Sequence, residues 1–117
     1  MEPKMKTINA TGSAGIRYGH VPGHRYHDVD VTIIRAGTGK WTVEILETWG
    51  SAQGCDEERG RKNVIGRGDD LRAALIDARE RADKATIDND RTGYLEQSLS
   101  SAESEATEEI EADQVIA

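Results

Sequence analysis

The sequence predicts an α+β fold: a three-stranded antiparallel sheet with one amphipathic helix packed on one face and a disordered acidic C-terminal tail. Three observations predict it. Two stretches of alternating apolar and polar residues flank a Gly-rich turn. Apolar residues then recur at helical spacing between Leu71 and Ala82. Finally, residues 1–93 are neutral overall, whereas residues 94–117 hold seven acidic groups and no basic one, and so carry the whole net charge of −7.

The elements follow in order. Residues 1–26 read as a flexible N-terminal segment. Their branched aliphatics are Ile8, Ile16 and Val21, set among Gly12, Gly15, Gly19, Pro22 and Gly23. Lys6–Ala10 is a candidate fourth strand there. Residues 27–93 form the expected ββ β α domain. Val29-Asp-Val-Thr-Ile33 is the first strand of a hairpin, Ala36-Gly-Thr-Gly39 its turn, and Trp41-Thr-Val-Glu-Ile45 the second strand, running on towards Trp49. Gly50 to Glu58 is a polar loop, and Arg59 to Ile65 is a third strand. Asp69 or Asp70 then caps a helix of about four turns, because a carboxylate accepts the free N–H groups of a first turn. Leu71, Ala74, Leu75, Ala78 and Ala82 are its apolar face, and so many alanines predict a close approach to the sheet. In residues 94–117 a short helix through Tyr94, Leu95 and Leu99 gives way to a tail too poor in apolar area to offset its ordering entropy.

Composition excludes several classes. With 117 residues the chain makes one small domain. Leu, Ile, Val and Phe together number only 21, so its core is thin. No apolar run approaches the roughly 18 residues of a membrane span. Met1 to Ala10 is polar and lacks the apolar centre of a signal peptide, and Cys55 alone cannot form an intrachain disulfide. A cytoplasmic protein is the expectation.

One helix covers one face of a sheet and leaves the other for binding. With Val31, Ile33, Val43, Ile45 and Val64 towards the helix, Ile34, Leu46 and Ile65 form an apolar spot on the far face, ringed by charge. With Trp49 as a further anchor, these residues predict a non-enzymatic regulator or inhibitor that holds a protein partner. The alternative partner is nucleic acid, held by Arg59, Arg61, Lys62 and Arg67, with the acidic tail competing for this basic strand. An open sheet edge would admit a homodimer.

No catalytic residues, metal or cofactor are expected. His20, His24 and His27 fall within eight residues, but Pro22 and Gly23 interrupt any helix that would align them. Cys55 lies beside Asp56, Glu57 and Glu58, which disfavour the thiolate a nucleophile needs.

The stretch Gly39-Lys-Trp41-Thr-Val-Glu44-Ile45 is similar to the Gly-Lys-Trp-x-x-Glu-Ile stretch of ethylene-response-factor DNA-binding domains. Those domains, like the arm-binding domains of phage integrases, are three strands followed by a helix. The resemblance covers seven residues and the element order, and it implies a sheet that reads DNA. The arginine-rich first strand of that family is here Asp28-Val-Asp-Val-Thr, which departs from the pattern.

Overall fold

The computed structural model describes residues 7–16, 25–36, 39–51, 60–89 and 91–115. Four strands, β1 (Ile8–Ile16), β2 (Arg25–Arg35), β3 (Trp41–Ser51) and β4 (Gly60–Gly68), form an antiparallel sheet in chain order. Two helices follow, α1 (Leu71–Lys84) and α2 (Tyr94–Val115).

The α+β class and the central hairpin agree with the sequence reading. At the turn, Gly39 takes a left-handed φ of 86°, and its N–H donates to the Ala36 carbonyl at 2.9 Å. The register pairs Val31 with Ile45, Ile33 with Val43 and Ile45 with Val64. Directly paired residues share a face, so one face carries Ile8, Ala10, Val29, Val31, Ile33, Trp41, Val43 and Ile45, all buried. Asp70 is the helix cap, its Oδ1 accepting from the Ala73 N–H at 2.7 Å.

Two expectations are corrected. Part of the N-terminal segment is an edge strand, which overlaps the candidate fourth strand Lys6–Ala10 and runs beyond it to Ile16: β1 alternates Ile8, Ala10, Gly12 and Ala14 with Asn9, Thr11 and Ser13, a period of two built from small residues. The acidic tail is a second helix of 22 residues, about 33 Å long at 1.5 Å per residue. Its buried residues Ser98, Leu99, Ala102 and Ala106 form one stripe on β1 and β2, while α1 lies on β4 and β3. Both helices therefore cover the same face of a four-stranded sheet.

The physical reason is close approach. A Cβ on Gly12 would sit 2.7 Å from the backbone nitrogen of Ala102, and one on Gly66 would sit 2.7 Å from the carbonyl oxygen of Ala74. The helix backbones rest on strand positions that have no side chain. Alanine and glycine then gain packing contacts that their own small area would not suggest. The Ser98 hydroxyl adds a buried hydrogen bond, shared between the carbonyls of Val29 at 2.6 Å and Tyr94 at 2.7 Å.

Candidate functional site

Two regions carry chemistry. The first is the face of the sheet opposite the helices. The register places on it Asn9, Thr11 and Ser13 of β1, Asp28, Asp30, Thr32 and Ile34 of β2, Thr42, Glu44, Leu46 and Thr48 of β3, and Arg61, Asn63, Ile65 and Arg67 of β4. No described helix or strand packs on this side. Ile34 is 38% exposed, Leu46 and Ile65 are half-buried, and Asp28 is buried. Across the face, the Ser13 hydroxyl donates to Asp30 at 2.6 Å.

The expected apolar spot divides in two. Leu46 pairs with Asn63, so Ile65 is its diagonal neighbour, about 7–8 Å away. Ile34 pairs with Thr42, four residues from Leu46 along β3, a separation of roughly 13 Å. Thr32 and Glu44 lie between.

Other expected residues fall elsewhere. Trp49 belongs to the helix side, where its ring lies over Gly60 and its centroid is 5.7 Å from the Lys62 ammonium. That position corrects its expected role as an anchor on the open face. Lys62 is on the helix side too, donating to the Thr86 carbonyl at 3.1 Å and hydroxyl at 2.7 Å, away from Arg61 and Arg67. Arg59, Cys55, His20 and His24 lie outside the described residues. The acidic residues of α2 ride on the side of the sheet opposite Arg61 and Arg67, not over them.

Both sheet edges carry a helix carboxylate. Glu105 of α2 accepts from the Thr11 N–H at 3.2 Å, and Asp77 of α1 accepts from the Arg67 N–H at 2.9 Å. The Arg67 N–H, followed by the side chain of Arg81 3.0 Å away, holds the Asp77 carboxyl below its usual range. Each contact occupies one backbone donor of an edge strand.

The second region is a polar cluster at one end of the helix side, which the sequence reading missed. His27 of β2, Glu47 of β3 and Asp88 of the α1–α2 connection converge there, each offering one ligand atom within 4.8 Å of the others. His27 Nε2 is 2.7 Å from Glu47 Oε2, and the Asp88 N–H donates to the same oxygen at 2.8 Å. The His27 ring is tilted against Tyr94, with centroids 5.2 Å apart. Asp88 Oδ1 accepts from the hydroxyl of Thr92 at 2.6 Å and its N–H at 3.0 Å, and Oδ2 accepts from Gly93 N–H at 3.1 Å and Leu95 N–H at 3.5 Å. Burial works against ionisation of Asp88. The donors from Thr92, Leu95 and Gly93 outweigh it and hold the carboxyl below its usual range.

The connection is also unusual in its backbone. Thr86, Asp88 and Arg91 all adopt left-handed φ between 53° and 56°, which costs energy for residues other than glycine. Glu47 and Lys62 hold that path from the sheet side, through the Asp88 N–H and through the Thr86 carbonyl and hydroxyl, and the Asp88 carboxylate holds it from within. The one sequence signal for this cluster is a glutamate, Glu47, at an inward position of an otherwise apolar strand face.

No helix among the described residues is long and apolar enough to cross a membrane. Comparisons of the chain with protein-family models, with curated proteins and with solved structures return no match, so the geometry alone carries the functional argument.

Proposed function

We propose that this chain is a small, non-enzymatic binding protein that holds a protein partner against the open face of its sheet. One observation carries the reading: both helices cover the same side, leaving the other side of four strands without a covering element among the described residues. Ile34 and the Leu46–Ile65 pair supply separate apolar contacts, and Asp30, Glu44, Arg61 and Arg67 surround them with both signs of charge.

The test is affinity capture from a soluble extract of the source cells, with the wild-type chain and an Ile34→Glu/Ile65→Glu variant of unchanged circular dichroism. A protein retained by the first and lost by the second supports the proposal. Equal recovery by both overturns it.

Nucleic acid is the second reading, favoured by Arg61 and Arg67, which are both exposed on the open face. Three carboxylates, Asp28, Asp30 and Glu44, share that face. Trp41, the central residue of the resemblance to plant DNA-binding domains, is buried on the helix side. Fluorescence anisotropy with random duplex and single-stranded DNA at low and physiological salt separates the readings. Salt-sensitive binding lost in Arg61→Ala/Arg67→Ala would promote nucleic acid.

A further inference from the structure

We propose that His27, Glu47 and Asp88 bind a divalent transition ion of the zinc class, which ties the α1–α2 connection to the end of the sheet.

The donor set is the first reason. One imidazole nitrogen and two carboxylates, drawn from β2, β3 and a loop, bring ligand atoms within 4.8 Å of one another. Zinc accepts nitrogen and oxygen ligands in this mixture, with water in a fourth position. Calcium requires six to eight oxygens, more than two carboxylates provide.

Charge is the second reason. Glu47 is 5% exposed and Asp88 is 9% exposed. Among the described residues no lysine or arginine forms an ion pair with either. Lys62, the cross-strand partner of Glu47, sends its ammonium to Thr86 instead. A buried carboxylate, Glu47, and a half-buried one, Asp88, face one imidazole, and a divalent cation between them balances their charge.

Preorganisation is the third. Asp88 Oδ1 is held by the two short bonds from Thr92, while Oδ2 has only the longer ones at 3.1 and 3.5 Å, so Oδ2 is the freer oxygen. Both hydrogen bonds described for Glu47 land on Oε2. The Tyr94 ring packs against that of His27. Such supporting contacts orient the ligands of a metal site. The ion takes the place of the His27–Glu47 hydrogen bond. Any proton on Nε2 passes to solvent or the ring adopts the other tautomer, and the freed lone pair bonds the metal.

The experiment is zinc titration of the full chain against a chromophoric chelator, with cobalt(II) absorption as a geometric probe. A His20→Ala/His24→Ala/Cys55→Ser chain serves as the parent, so that ligands elsewhere do not contribute. The expected result is one equivalent of zinc bound by this parent, a tetrahedral cobalt spectrum without thiolate bands, and a raised Tm. His27→Gln and Glu47→Gln, each added to the parent, are expected to weaken binding at least about tenfold. His27 is only half-buried, so its variant retains the fold even where Glu47→Gln does not. Absence of zinc binding by the parent overturns the proposal. Binding by the folded His27→Gln variant as tight as the parent's overturns it too.

Discussion

On the helix side of the sheet the decisive residues are small, whereas on the open side they are polar and of middle size. Ala10, Gly12 and Gly66 let helix backbones approach within contact of the strands. The side chains of their neighbours Asn9, Thr11, Ile65 and Arg67 belong to the other face, although the backbone N–H groups of Thr11 and Arg67 donate to helix carboxylates. Adjacent residues in one strand thus answer to different physics. Close packing punishes any added atom on one side, and solvent forgives substitution on the other.

The sharpest test uses neighbours in β1. Gly12→Val is expected to lose about 3 kcal/mol, because the new side chain meets the backbone of α2, while Thr11→Val stays within about 0.5 kcal/mol of wild type. Urea denaturation of both measures the contrast, and equal losses would break it. Ile45→Ala, which empties a fully buried site on the helix side of β3, is expected to cost about 3 kcal/mol. Leu46→Ala, on the half-buried open side, is expected to cost about 1 kcal/mol by the same measurement.

The polar end of the helix side adds pH dependence. Asp88 is ionised more readily in the folded chain than in the unfolded one. Its contribution is therefore complete above the unfolded pKa near 3.8 and disappears as the pH falls through the lower folded value. Asp88→Asn is expected to cost about 1–2 kcal/mol at pH 7, with the gap to wild type closing below about pH 4. Thermal melts from pH 7 to pH 3 follow it, and a gap independent of pH would remove Asp88 as its source. The smallest expected effect is at the sheet edge. Asp77→Ala is expected to leave the Tm nearly unchanged while speeding hydrogen exchange at the Arg67 amide, the group it caps.

How much of this was legible depends on what kind of residue carried each feature. The hairpin from Val29 to Ile45 and helix α1 were legible because large apolar residues mark their period and Gly39 and Asp70 mark their ends. The register of β4 was open in the sequence, and the pairing with β3 puts Val64 inward and Ile65 outward. β1 and α2 were not legible in the same way. Their stripes are Ala10-x-Gly12-x-Ala14 and Ser98/Leu99-x-x-Ala102-x-x-x-Ala106, which composition reads as loop and solvated tail. Each stripe is a weak signal alone, and the two make sense only against each other.

The candidate sites divide likewise. Alternation places Ile34, Leu46 and Ile65 on the open face, since parity along a strand is local information, whereas Arg67 joins that face because β4 runs past Ile65 to Gly68. Trp49 and Lys62 fall outside the open face for a related reason: apolar or basic character does not locate a side chain, and parity puts both beside the helices. The cluster of His27, Glu47 and Asp88 spans sixty-one positions of sequence, and no spacing rule links its members.

The sequence by itself determined the α+β class, the central hairpin, the cap and face of α1, and the alternation that sorts each strand's residues between two sides. Tertiary structure alone decided that β1 and α2 exist as partners, that both helices take the same side, and that three distant polar residues meet. Periodicity is written locally, in the geometry of one strand or helix. The stability of a glycine against a helix backbone, or of a carboxylate held by a distant loop, comes from contacts that form only once the chain has closed on itself.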